Sequence, residues 1–545
     1  MSAEASDHDV VVVGSGVNGL ACGALLAQAG RNVCVLERND WFGGAIRTAE
    51  ITKPGFHHDV FSAWHPLWVG GPAHARLGAD LARHGLEYLN TEHPTATLYP
   101  DGEAAFLLRN AAANAAELDR HEPGDGAAWH GLLDEFLPNA DLAFGVLGTE
   151  LWSRHGATLA LKAYRRLGRR GTAEFASRLL VSARDWLTDT FASPRAHGLL
   201  APWVLHTGLG PDAAASGYMA AVIAVAVQDG GMPIPRGGGA RLADALVSFI
   251  RECGGTCETG VDVTHVVTRD GRAAGVEFAN GDVVHAPVVV CNVTPTQLYG
   301  RLLGSVPGNV AASAKRFRYG RSEMQIHLAL SEPPRWDGDE RLAQTAIVHL
   351  TPGLDGVSRA VNEADRGLLP AEATVVVGQP MTMDPSRAPG GKGLLWIQLQ
   401  ELPWNVRGDA AGELDVGDGA WTQTLRERYA DRIQARVSKH IPNLEASIVD
   451  RAVLSPADLE AANVNLVHGD PYGGSLALDQ NFLWRPFGTA PGHRTFVEGV
   501  WHVGASTHPG PGLGAGSGTI VADAILEPAV SKRLATKLAA LTRRS

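Results

Sequence analysis

The chain has 545 residues, of which 45% are apolar and 19% charged, with a formal net charge of −11. That length exceeds one hydrophobic core and points to two or three domains, and the acidic balance excludes the basic field of a nucleic-acid-binding protein. The acidic, polar start reads as no signal peptide, and the longest apolar stretch, Ala213 to Val227, is too short to span a bilayer.

In chain order, the first element is a short apolar run, Val10 to Val13, leading into Gly14-Ser15-Gly16-Val17-Asn18-Gly19. A helical stretch follows to Ala29, then a second apolar run, Val33 to Leu36, that ends on Glu37. This is a complete βαβ dinucleotide fingerprint. Gly14 serves the tight turn, Gly16 lets the backbone approach a diphosphate, and Gly19 lets helix and sheet pack closely. The helix N-terminus faces phosphate charge. Glu37 suits a ribose diol and repels a 2′-phosphate, which favours FAD or NAD over NADP. The next residues, Arg38-Asn39-Asp40-Trp41-Phe42-Gly43-Gly44-Ala45-Ile46-Arg47, decide between these two. A plain NAD domain has no need of the extension, so FAD is expected, with Gly43, Gly44 and Arg47 reaching a second part of the diphosphate.

Residues 72 to 230 read as mostly helical. At Gly231 the pattern changes. Pro235-Arg236-Gly237-Gly238-Gly239 precedes a helix from Ala240 to Glu252, and short strands follow through Cys291, joined by turns such as Asn280-Gly281. Val263 is a candidate to present its backbone to the adenine. Residues 303 to 485 mix strands with a long helix from Thr422 to Lys439. A final strand runs from Gly499 into a glycine-rich turn, Gly504 to Gly518, and then a helix. The backbone amides of this block are expected to face the flavin.

These blocks, with Pro54-Gly55-Phe56-His57-His58-Asp59, Cys291-Asn292-Val293-Thr294-Pro295, Asp384-Pro385, His468-Gly469-Asp470 and Arg485-Pro486, resemble the bacterial-type phytoene (carotenoid) desaturase and carotene isomerase superfamily of FAD-dependent oxidoreductases. The similarity covers nearly the whole chain. It is greatest to the branch related to the pyridine nucleotide-disulfide oxidoreductase domain-containing protein 2 group. The resemblance implies an α/β fold: a Rossmann-like FAD-binding domain of the glutathione-reductase type with an inserted mixed α+β substrate domain. The FAD domain is assigned to 1–71, 231–302 and 486–530, the substrate domain to 72–230 and 303–485, and a C-terminal helical tail to 531–545. Noncovalent FAD is implied, with two-electron oxidation of a hydrophobic organic substrate. A redox-neutral isomerase, a saturase, an amine oxidase or a non-catalytic flavin-bearing partner protein are the alternatives.

The expected cofactor contacts are Gly14, Gly16, Val17, Asn18, Gly19, Glu37, Arg38, Gly43, Gly44, Ala45, Arg47, Val263, Gly504, Ala505, Gly512, Leu513 and Gly514. The candidate acid–base residues are His508, inside the flavin-facing block, and His65. No second dinucleotide fingerprint is visible, so oxygen or a quinone is the expected electron acceptor. The five cysteines show no zinc or Cys-x-x-Cys spacing, so no metal is expected and reduced thiols in a cytoplasmic setting are. Residues 161 to 186 carry seven Lys and Arg among Leu, Tyr and Phe. This face reads as solvated, with peripheral membrane contact as the alternative.

Overall fold

A computed structural model describes residues 7–527; the expected helical tail at 531–545 lies outside the described residues. The first of two main sheets is parallel and five-stranded. Its order is Val500–Val503, Val288–Asn292, Val10–Val13, Val33–Leu36, Thr256–Glu258. Its central strands are continuous β-branched runs because both faces are covered. Val10 and Val12 point with Val33 and Val35 toward helices Val17–Gln28 and Ala240–Glu252. Val11, Val13, Cys34 and Leu36 point the other way. There they meet Val263, Val266 and Val276 of a three-stranded antiparallel sheet.

The second main sheet is mixed and seven-stranded. Its order is Ile448–Leu454, Ser322–Leu330, Gly393–Leu402, Val375–Gly378, Ile347–Leu350, Thr95–Leu98, Ala104–Leu107. One face packs Met324, Ile326, Leu328, Leu395, Ile397 and Leu399 against Leu425, Tyr429 and Ile433 of helix Gln423–Ser438. That helix starts where the sequence places it, with the Thr422 hydroxyl accepting from the Leu425 amide at 3.2 Å.

The stretch from 72 to 230 is mostly helical, as expected, but it also holds strands that the sequence reading did not place. The strands Thr95–Leu98 and Ala104–Leu107 interrupt it. They form an antiparallel hairpin that closes one edge of the second sheet, and Thr95 pairs in parallel with Ile347. The runs are four residues long and small-residue-rich, so helical periodicity does not exclude them; long-range pairing decides their state.

Candidate cofactor and substrate site

One cavity of about 390 Å³ lies between the two sheets. At one end is the first βα turn. Gly14 sits at φ +90°, a conformation that favours glycine, and a Cβ there would lie 2.8 Å from the Asn292 carbonyl oxygen. A Cβ on Gly19 would come within 2.5 Å of the Gly14 oxygen, so this glycine holds the helix against the turn. No side chain caps the helix that starts at Val17. Its first amides, on Val17 and Asn18, therefore stand at the cavity wall without a side-chain partner, a ready-made site for a diphosphate.

Glu37 is buried beside this turn. Its Oε2 accepts from the Ser15 amide at 2.9 Å and the Ser15 hydroxyl at 2.7 Å, and its Oε1 from the Asn39 amide at 2.9 Å. An ionised carboxylate has about four acceptor sites, so one remains for a ribose hydroxyl. Arg38, Gly44, Ala45 and Val263 also line the cavity. The chemistry of this donor set, open amides beside a fixed carboxylate, fits FAD.

The glycine-rich C-terminal block reaches the same cavity through Gly504, Ala505, Gly512 and Leu513. Two buried charge clusters hold the surrounding loops. Arg387 is fully buried between Asp59, at 2.6 Å, and Asp384, at 3.0 Å. Asp59 also accepts from the Gly239 amide at 2.8 Å, and Asp384 from the Gly237 amide at 2.7 Å. Three sequence blocks far apart in the chain are thus one clamp. In the second cluster the Arg485 guanidinium donates to the carbonyls of Tyr472 (2.9 Å) and Ala505 (2.6 Å). Asp470 beside it accepts from the amides of Gly320 (2.7 Å) and Gly474 (2.8 Å).

The opposite wall is aromatic and polar. Trp64, Trp203 and Trp396 line it, with His206, Ile223 and Ile347. Trp64 and Trp396 meet edge to face at 5.2 Å. Glu323 stands among two amides, Gln325 and Gln398, and a phenol. Gln398 donates to it at 2.7 Å and Tyr472 at 3.1 Å. Burial pushes the Glu323 carboxyl up to about 8, although these hydrogen bonds pull it back in part. Sequence reasoning missed Glu323, Gln325, Gln398, Gln400 and Tyr472. The available signal was a partial polar–apolar alternation, Glu323 to Leu328 and Ile397 to Gln400, with no Lys or Arg among the polar residues.

Several expected site residues sit elsewhere. The Arg47 guanidinium lies over the Trp41 ring at 4.0 Å and is absent from the cavity wall; the flat cation stacks on the aromatic face. Gly43 lines the cavity, but its amide donates to Ser15 Oγ at 3.1 Å. The Gly504 amide is taken by Ser517 Oγ at 3.1 Å. Gly514 packs against Leu67, off the wall. His508 is buried outside the cavity, bonded through Nε2 to the Val146 carbonyl at 2.8 Å, and burial lowers it to about 4. His65 does line the cavity. Its Nδ1 pairs with the Tyr88 hydroxyl at 3.0 Å, its Nε2 has no partner, and burial lowers it to about 4. It is a neutral imidazole near pH 7.

From helix Arg154–Arg178, Lys162 (2.6 Å) and Arg166 (2.5 Å) pair with Asp141 of helix Ala140–Gly148. Arg170 pairs with Glu174, and Arg178 with Glu135. Much of the basic face is thus locally neutralised. Among the described residues no helix is long and apolar enough to cross a membrane.

A parallel sheet with an open glycine turn, joined through one cavity to a second, mixed sheet, defines a flavin-dependent oxidoreductase that uses FAD. Comparison with known proteins agrees. The chain belongs to the flavin containing amine oxidoreductase family, whose model matches residues 18–437. It is 26% identical over 546 residues to pyridine nucleotide-disulfide oxidoreductase domain-containing protein 2 of Mus musculus, covering 93% of this chain and 91% of that one. It is 26% identical over 543 residues to the zeta-carotene-forming phytoene desaturase of Myxococcus xanthus, covering 94% and 92%. Among solved structures, cyclohexylamine oxidase from Brevibacterium oxydans aligns over 96% of this chain and 100% of that one. Its TM-score is 0.54 at 17% identity, a likeness of fold.

Proposed function

We propose that this chain is a dehydrogenase of the desaturase type, taking two electrons from a C–H bond of an organic molecule with an apolar body. The observation that supports this is the continuity of one cavity from the glycine turn at Gly14–Gly19 to the indoles of Trp64, Trp203 and Trp396. Val17, Asn18, Glu37, Gly512 and Leu513 would hold FAD, which supplies a two-electron acceptor for hydride when bound. The chain's own residues do the rest. The three indoles and Ile347 exclude water and give the apolar body its surface. Glu323, with its affinity for protons raised by burial, holds a proton on the cavity wall. His65, neutral and buried, positions the Tyr88 hydroxyl. Oxygen or a quinone is the proposed terminal acceptor.

The test is a panel of organic substrates mixed anaerobically with the FAD-reconstituted protein. Bleaching of the oxidised flavin absorbance by at least one compound is expected. A protein that stays fully oxidised across alcohols, amines and unsaturated hydrocarbons overturns the reading.

A further inference from the structure

Two histidines meet at the aromatic end of the cavity. His206 follows the short helix Pro202–Leu205, and His349 belongs to strand Ile347–Leu350. Their Nε2 atoms lie 3.1 Å apart, with the rings edge to face at 5.4 Å. Trp203 stacks on the His206 ring at 4.6 Å and meets His349 edge to face at 5.1 Å. His206 lines the cavity and is partly exposed to it, whereas His349 stands behind it, fully buried.

Neither ring is paired with a carboxylate among the described residues, so an imidazolium here would be a buried charge without a counter-ion. Burial lowers His206 to about 3 and His349 well below its ordinary value. Both rings are therefore neutral near pH 7, and one proton lies between the two Nε2 atoms. Which ring owns that proton decides what the cavity meets. If His206 owned it, His349 would carry its own proton on Nδ1, which is buried and has no partner. Orphaned buried N–H groups are rare, and under-satisfied acceptors are less so. His349 therefore donates through Nε2, and the proton of His206 sits on Nδ1. That atom has no partner within the chain and, unlike His349 Nδ1, is not sealed off.

The geometry points to a substrate that bears a hydrogen-bond-accepting oxygen on its apolar body, a carbonyl, ether or hydroxyl oxygen, received by the Nδ1–H of His206 beside the indole of Trp203. His206 is then a specificity-determining residue, and His349 is a positioning residue that fixes its tautomer. This inference rests on the proposed reading of the cavity as a substrate site, and it deepens that reading by naming the group that the aromatic end recognises.

The test uses the FAD-loaded protein and two matched pairs of probes, with binding measured by titration calorimetry so that it does not depend on turnover. Acetophenone and α-methylstyrene share a shape and differ by a carbonyl oxygen in place of a methylene carbon. Indole and indene differ by an N–H donor. Acetophenone is expected to bind about tenfold more tightly than α-methylstyrene, the scale of one hydrogen bond in a desolvated site, with indole and indene within about threefold of each other. His206→Phe is expected to bring acetophenone and α-methylstyrene within about threefold while binding FAD as before. His349→Leu should shrink the contrast in the same way, and His349→Gln, whose amide can donate to His206, should restore it. Equal binding of acetophenone and α-methylstyrene overturns the proposal, as does no measurable binding of any probe. A contrast that survives in His206→Phe or His349→Leu overturns it too. A preference for indole over indene does the same, because it assigns the opposite tautomer. Loss of FAD affinity in His206→Phe also overturns it, because the ring would then serve the cofactor. A protein that takes up no FAD fails the functional reading instead, and the contrast between the probes can still be measured on it.

Discussion

Replacing Arg387 by Met removes the charge at the centre of the first clamp and keeps most of its volume. The guanidinium is fully buried between Asp59 and Asp384 and donates to the His57 carbonyl at 3.2 Å. Without it, two buried carboxylates face each other with only amide and hydroxyl donors. Breaking a buried ion pair on one side costs about 3–5 kcal/mol. Unfolding entropy for a unit of this length is about 1 kcal/mol per degree, so the melting midpoint of the whole chain should fall by about 3–5 °C. The gap should depend on pH. Burial pushes the Asp384 carboxyl up, but hydrogen bonds from Ser386 and Gly237 and the charge of Arg387 outweigh it and leave the group below its ordinary value of 3.8. Its contribution is therefore present above that value and is lost as pH falls through the folded-state value. The variant lacks it, so the two proteins should converge only as pH falls below the ordinary value of 3.8. Thermal melts and denaturant titrations carried from pH 8 down to below 3.8 measure both effects. A difference under about 1 kcal/mol, or one that does not narrow on acidification, would refute the argument. Arg387→Lys, which keeps the charge but loses the fork, should recover roughly half.

Three further outcomes are expected. Gly19→Ala drives a methyl to 2.5 Å from the Gly14 oxygen, so FAD affinity measured by titration should fall by about tenfold or more with the far-ultraviolet circular dichroism unchanged. Burial holds Glu323 at about 8, above its unfolded value near 4.5. The stability linked to its protonated form is full below about 4.5 and is lost as pH rises through about 8, so Glu323→Gln should flatten this fall in melts recorded from pH 5 to 9; parallel curves would count against it. His508→Gln should leave kcat and its pH profile within about threefold, because the ring lies outside the cavity, and should cost about 1 kcal/mol of stability from the lost Val146 bond. A kcat reduced a hundredfold in that variant would restore His508 as an acid–base group.

The parts of the site legible in the sequence are those that constrain the backbone. Gly14, Gly16 and Gly19 are required by a turn that leaves no room for Cβ atoms, and such needs recur at fixed spacing. Roles that depend on where a side chain ends up were harder to read. His508 lies within the glycine-rich block, yet packing turns it toward Val146. Arg47 follows Gly43-Gly44, yet its cation settles on Trp41. The polar wall was hidden for a different reason. The alternation around Glu323 and Gln325 is what a half-exposed strand shows, and only the arrangement of the two sheets turns that side toward a cavity. The hairpin at 95–107 was obscured because its partner strand, Ile347–Leu350, lies about 250 residues away.

The parallel sheet takes its five strands from three separate stretches, and its edge strand, Val500–Val503, lies next to Val288–Asn292. During synthesis the turn at Gly14 emerges early and waits for nearly the whole chain before Gly512 and Leu513 exist to complete the cavity. Vectorial synthesis at roughly 5–20 residues per second makes that delay about 25–100 seconds. The strand Val288–Asn292 emerges later and waits about 10–40 seconds for its partner at that rate; over this shorter time its exposed edge, a β-branched run of low charge, is open to wrong pairings. Ribosome-bound chains stalled before residue 500 should therefore be the species most dependent on chaperones.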